Sequence, residues 1–141
     1  MTERLSHSVA DTEQIAAEIA QTLRGGECIA LHGDLGAGKT QFVRGLVKAL
    51  GGDRAAVSSP TFVLLHVYKT STLTVYHLDA YRVHGGEDFE QIGFDELLEQ
   101  GGVVVVEWAS RVQRLIPRGH LEVRITTTGE NDRTIAIGRS A

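Results

Sequence analysis

At 141 residues, with 42% hydrophobic and 23% charged side chains, the chain has the size of a single domain with one core. Its net charge of −4 argues against a stand-alone nucleic-acid binder, which carries a basic face, but leaves room for RNA contact through a partner. The lone cysteine, Cys28, can close neither an intramolecular disulfide nor a structural zinc site, which points to a reducing compartment.

The N-terminal "MTERLSHSVADTEQ" is polar and has no apolar signal region. No apolar run approaches the roughly 20 residues that span a bilayer, so a cytoplasmic protein with no membrane partner is expected. "DTEQIAAEIAQTLRGG" predicts a helix from Asp11, with Asp11 as cap, Gln14 three residues later, and Gly25–Gly26 as the stop. Ile15, Ile19 and Leu23 give it one apolar stripe. "ECIALHG" reads as a short buried strand running into glycine. "TQFVRGLVKAL" places Phe42, Val43, Leu46, Val47 and Leu50 on one helical face.

Two strands are expected in "SSPTFVLLHVYKT" and "LTVYHLDAYR", joined by the polar turn "KTST". "GGEDFEQIGFDELLEQGG" is acidic and helical in two pieces broken at Gly93, and its run Glu87–Glu99 is most simply a solvated face. "VVVVE" has the composition of a strand buried on both faces of a parallel sheet. "SRVQRLIP" reads as a short helix, and "HLEVRITTT" with "RTIAIGR" as a hairpin across "GEND". The pattern implies an α/β fold in one domain over residues 1–141, a mixed β-sheet flanked by helices, and the loop "GDLGAGKT" at 33–40 makes the expected fold P-loop NTPase-like.

Gly33-Asp34-Leu35-Gly36-Ala37-Gly38-Lys39-Thr40 matches G-x-x-x-x-G-K-[ST] in full. Glycines let the backbone turn until successive amides converge on an anion, and the following helix points its positive end at the phosphates. Lys39 serves as a point charge for the β- and γ-phosphates, and the Thr40 hydroxyl as a magnesium ligand. The loop's position between a predicted strand and an amphipathic helix is what this mechanism requires.

A P-loop NTPase also needs a carboxylate at a strand end to order magnesium and its waters. Glu107 after "VVVV" and Asp79 after "LTVYHL" both qualify, and the residues alone do not choose between them. The chain's one asparagine, Asn131, is not part of an Asn-Lys-x-Asp guanine element, and no Leu-Ser-Gly-Gly transporter signature is present. Adenine is therefore favoured by elimination. A small-metabolite or nucleoside kinase shares the loop and the size and stays open, as does an ATP-dependent binding module without turnover.

"GDLGAGKT", "SSPTF" at 58–62, "HLDAYR" at 77–82, "VVVVEWA" and "LIP" at 115–117 occur together in this order. In that combination the chain resembles the TsaE (YjeE) family of small bacterial P-loop ATPases, from about Asp11 to about Ile137. The resemblance implies ATP and Mg²⁺ as cofactors and a role in threonylcarbamoyladenosine modification of ANN-decoding tRNAs beside the anticodon. It implies a TsaB–TsaD complex as partner, tRNA contact only indirectly through those partners, and slow intrinsic ATP hydrolysis that resets the complex.

By position, it implies that Leu35 to Thr40 hold the phosphates, that Thr40 and Glu107 hold magnesium, and that Asp79 lies beside the γ-phosphate or its water network. Thr61 matches a segment compared with a GTPase switch, Trp108 a tryptophan near the nucleotide, and Arg133 a position near the purine. Asp11 and Thr12 match an N-terminal segment that approaches the base.

Simpler readings stand beside these. Thr61 can merely begin a strand after Pro60, and Trp108 can be a packing residue. His66, His77 and His84 lack metal-ligand spacing and read as satisfied polar or surface side chains, with His77 able to orient a neighbour of Asp79. Cys28 reads as a small buried apolar residue with no activating base.

Overall fold

The computed structural model describes residues 2–34, 36–58, 65–80 and 93–140. The elements are β1 (Thr2–Ser6), α1 (Val9–Ala20), β2 (Cys28–Gly33), α2 (Lys39–Ala49), β3 (Leu65–Tyr68), β4 (Val75–Asp79), α3 (Phe94–Glu99), β5 (Val103–Glu107), β6 (Leu121–Thr127) and β7 (Arg133–Arg139). Short 3₁₀ segments occupy Arg54–Ala56 and Ala109–Leu115, the second kinked at Val112.

The strands form one seven-stranded sheet in the order β1-β7-β6-β2-β5-β4-β3. Its middle, β6-β2-β5-β4, is parallel, and antiparallel strands close both sides: β7 and β1 beyond β6, and β3 beyond β4. The β-branched run of β5 sits between β2 and β4, and all five of its residues are buried. Alternation sends Val103 and Val105 into the core shared with α1 and α2, and Val104 and Val106 into the core shared with α3 and the second 3₁₀ segment. Each fully buried valine contributes about 1.5–3 kcal/mol of apolar transfer free energy. That is why so continuous a run belongs at the centre of a two-faced sheet.

The helix expected from Asp11 begins two residues earlier, at Val9. Ser8 is the cap: its hydroxyl accepts from the Asp11 amide at 3.0 Å, while the Asp11 carboxylate accepts from the His7 amide at 2.9 Å. Ser8 thus caps the helix, with the Asp11 carboxylate bonding the amide just before the cap, in place of the Asp11 cap with Gln14 expected from the sequence. The helix ends at Ala20, before the two glycines that were expected to stop it. Strand β1 was not expected at all. It is a polar edge strand, held by backbone pairing of Thr2–Ser6 with β7.

The strands expected within 58–70 and 73–82 are present as the short hairpin β3–β4. The second helical piece beyond Gly93 is α3, while the first lies outside the described residues.

Candidate functional site

β2 runs straight into the glycine loop, and α2 leaves it at Lys39. Gly36 (φ 78°) and Gly38 (φ 114°) hold left-handed backbone that a side chain would strain. The Ala37 amide bonds the Asp34 carbonyl at 3.0 Å, which tightens the turn. Gly38 is the N-cap of α2 and offers no side chain to the first-turn amides. Those donors, with the positive end of the helix behind them, are available to an anion.

Glu107 meets this helix end at Lys39, and Asp79 stands beside Glu107 on the neighbouring strand. The parallel register pairs Asp79 with Glu107, and Leu31 flanks Glu107 on the other side. Since Val103 and Val105 face α1 and α2, alternation directs Glu107 to the same side of the sheet, toward the start of α2. Both acids are buried, at 7% and 5% exposure, as is Lys39 at 7%. The Lys39 ammonium lies 3.6 Å from Glu107 Oε1 and 4.4 Å from the centre of the Trp108 ring. A buried cation is thus compensated by a carboxylate and an aromatic face. Trp108 reaches that position from a backbone of φ 58°, the one left-handed non-glycine among the described residues. Such a conformation costs about 1–2 kcal/mol for an L-residue.

Behind Glu107 stands His77, fully buried, with Nε2 2.5 Å from Glu107 Oε2. His77 does have a carboxylate partner, supplied by a neighbouring strand. The available signal was its placement two residues before Asp79, which puts both on one face of a strand.

Arg133 braces the outside of the loop. Its guanidinium donates to the carbonyls of Ala37 (2.8 Å) and Gly36 (3.3 Å), and also to those of Gly129 and Asp132. A cleft of about 110 Å³ opens beside it, lined by Ser8, Val9, Thr12, Gly36, Ala37, Gly38, Gln41, Asn131 and Arg133. The structure therefore brings Thr12 and Arg133 to the glycine loop. Thr12 is buried there, with its hydroxyl 2.8 Å from that of Ser6. Asp11 does not line the cleft, because its carboxylate turns back to the His7 amide. Ser8, Gln41 and Asn131 line it without having been singled out from the sequence.

Asp34 lies on the opposite side of the loop, in a hollow of about 220 Å³ with Gly33, Trp108, Ser110 and Arg124. Leu35 and Thr61 lie outside the described residues.

A second polar cluster occupies the far face of β2 and β6. Glu122 Oε1 is 2.6 Å from His120 Nε2, and Oε2 is 2.8 Å from His32 Nε2, the latter without hydrogen-bond geometry. Burial pushes the Glu122 carboxyl up, but the hydrogen bond from His120 and the charges of both histidines outweigh it and leave it below its ordinary value. Burial holds the His32 imidazole below its own. Cys28 is buried and its thiol is pushed up to about 12 by desolvation, as expected for a packing residue.

The family model "Threonylcarbamoyl adenosine biosynthesis protein TsaE" matches residues 6–135. The chain belongs to the TsaE family. A Rickettsia felis protein named "tRNA threonylcarbamoyladenosine biosynthesis protein TsaE" is 39% identical over 127 residues, covering 90% of this chain and 74% of the relative. An Aquifex aeolicus protein of the same name is 40% identical over 138 residues, covering 97% and 96%. The crystal structure of Bacillus subtilis YdiB superposes with a TM-score of 0.80 at 28% identity, covering 99% of this chain and 86% of the other. The mixed, helix-flanked sheet is thus the fold of a solved relative. Among the described residues no helix is long and apolar enough to cross a membrane.

Proposed function

We propose that this TsaE-family chain is the ATP-binding, magnesium-dependent ATPase component of tRNA threonylcarbamoyladenosine biosynthesis in the cytoplasm. On this reading its hydrolysis of ATP resets a TsaB–TsaD complex, and tRNA is met only through those partners. The observation that carries the ATPase part is the buried pair of Lys39 and Glu107 at the uncapped amide end of α2, with buried Asp79 beside Glu107 on the neighbouring strand. The relatives' names carry the pathway.

The residues suit the cofactors. Phosphates would meet the amides of Gly36 to Thr40 and the Lys39 ammonium. Thr40, Glu107 and Asp79 offer hard oxygen donors to magnesium, which takes few protein ligands and keeps several waters. Magnesium, when bound, neutralises charge on the transferring phosphoryl group. Lys39 and the loop amides stabilise the same charge from fixed positions that need no reorganisation. Asp79 or Glu107, at neighbouring strand ends, positions the attacking water. The water oxygen would bond the γ-phosphorus as its bond to the bridging oxygen breaks, ADP leaving with that oxygen and the water's proton passing to the phosphate formed or to solvent. Asp34, Trp108, Thr12 and Arg133 complete the nucleotide's surroundings in this reading, and Thr61 senses the γ-phosphate.

The test is ATP turnover by the purified chain with and without TsaB and TsaD. Stimulation by the partners, lost in Lys39→Ala, supports the proposal. Unchanged turnover in Lys39→Ala refutes it. Phosphate transfer to an added small acceptor, without partner stimulation, favours a kinase instead.

A further inference from the structure

We propose that His77 is a positioning residue that clamps Oε2 of Glu107 so that Oε1 faces the nucleotide's metal. This rests on the ATPase reading above. A P-loop NTPase ordinarily uses aspartate at this strand end. Glu107 is one methylene longer and has one more rotatable bond, so its carboxylate has more orientations to lose on binding. His77 removes that freedom. Its ring is 0% exposed, its Nε2 is 2.5 Å from Oε2, and the other oxygen, Oε1, is the one directed at Lys39 Nζ. The β4–β5 register fixes the arrangement: His77 pairs with Val105, so its side chain projects from β4 alongside the strand that ends in Glu107.

Among the described residues nothing else hydrogen-bonds the imidazole. Nδ1 is buried without a hydrogen-bond partner, and the ring is held by aromatic packing, with the rings of Tyr68 and His66 centred 6.1 and 6.5 Å away. An orphaned polar nitrogen destabilises a core that an apolar ring would fill without penalty. Stability is therefore a poor account of a histidine here, and orientation of Glu107 is a sufficient one. The ring does not reach solvent, so it cannot touch substrate and is no catalytic residue. Tyr68 extends the arrangement outward: its hydroxyl bonds His66 Nδ1 at 3.0 Å and the Ser58 carbonyl at 3.3 Å. The packing that orients His77 is thereby tied to the residue just before the "SPTF" segment.

His77→Phe keeps an aromatic ring and removes the donor; His77→Gln restores an N–H at similar reach without an ionisable ring. Affinity for a fluorescent ATP analogue is measured for each in Mg²⁺ and in EDTA, beside thermal melts. Outer-shell partners of metal ligands are worth about 10- to 100-fold in metal affinity. His77→Phe is therefore expected to lose about that much of the Mg²⁺-dependent gain while its affinity in EDTA is unchanged, and His77→Gln is expected to recover most of it.

A folded Phe variant with wild-type Mg²⁺ dependence overturns the proposal. So does an equal loss in Mg²⁺ and EDTA, which marks a merely structural side chain. Should the Phe variant not fold, the Gln variant decides: it must keep the Mg²⁺ dependence, and losing it overturns the clamp. If the wild-type chain itself binds the analogue without Mg²⁺ dependence, the ATPase reading falls and this inference with it.

Discussion

Gly45 lies in the middle of α2, where an isolated helix would gain about 1 kcal/mol from alanine in its place. The structure predicts the opposite sign. A Cβ on Gly45 would sit 2.5 Å from the carbonyl oxygen of Glu13, 2.6 Å from its Cα and 2.9 Å from its carbonyl carbon, all backbone atoms of α1. Ordinary contact begins at 3.4 Å, so α1 must move by about 0.9 Å or α2 must bend. Overpacking of this kind costs about 1–3 kcal/mol, and backbone on both sides leaves no rotamer to relieve it. Setting the upper half of that range against the propensity gain leaves Gly45→Ala destabilised by about 1–2 kcal/mol. For a chain of this length that is a drop of about 3–8 °C in melting temperature. The shift also separates Ser8 and Thr12, at the cap and first turn of α1, from Gly38 and Gln41 across the small cleft, so nucleotide affinity should fall further than the stability loss explains. The assays are urea denaturation and nucleotide titration of the folded variant. A Gly45→Ala protein as stable as wild type, or more so, would refute the close-approach argument outright.

Other consequences follow from single contacts. Arg133→Met removes the donors to the Ala37 and Gly36 carbonyls. It should weaken nucleotide binding about tenfold, equivalent to about 1.4 kcal/mol; wild-type affinity in a folded variant would show that the brace is idle. The Cys28 thiol, raised from 9.0 to about 12, should have about a thousandfold less thiolate at neutral pH than an unshifted one. Maleimide labelling should therefore be slow in buffer and fast in urea, and rapid native labelling contradicts the burial.

Stability should fall in acid. Burial keeps His32 and His66 below their ordinary 6.5, so the unfolded chain takes up protons first as pH drops through that value. Glu122 is held below 4.5, so its contribution is present above that pH and is lost as pH falls through its folded value. The exposed His7, raised beside Asp132, works in the opposite sense and is screened by solvent. Urea midpoints at pH 7.5 and 5.5 check the sign, and a higher midpoint in acid would refute it.

What was legible in the sequence was whatever local pattern dictates. The glycine loop, the apolar face of α2 and the four valines of β5 each follow from spacing or composition, and each stands where it was expected. Strand β1 was hidden because an edge strand paired through its backbone needs little apolar alternation, and Thr2–Ser6 shows little. The start of α1 was misplaced because two overlapping cap signals, Ser8 with Asp11 and Asp11 with Gln14, compete in the same stretch, and only hydrogen bonds separate them. Arg133 on the glycine loop, and Glu122 between two histidines, depend on which strands neighbour one another. Sequence distance conceals that kind of contact. The assignment of roles to Asp79 and Glu107 was left open for the same reason, since both end apolar strands and only the register places them side by side.

That register has an electrostatic consequence for the proposed reaction. In this structure Lys39 and Glu107 compensate one another in a buried place, with Trp108 closing over the ammonium. Phosphates that draw Lys39 away leave Glu107 as a buried carboxylate with His77 as its remaining partner among the described residues, and an uncompensated buried charge is strongly disfavoured. A second cation removes that penalty. Phosphate and divalent-cation binding must then reinforce one another, and the reinforcement is equal in both directions. Neutralising Glu107 as Glu107→Gln separates the two effects: it frees Lys39 for phosphate and abolishes the need for the cation. The variant should therefore bind nucleotide in EDTA at least as well as the wild type while losing most of the gain from Mg²⁺. Equal losses in both conditions would mean that Glu107 supports the loop mechanically and that its pairing with Lys39 carries no coupling.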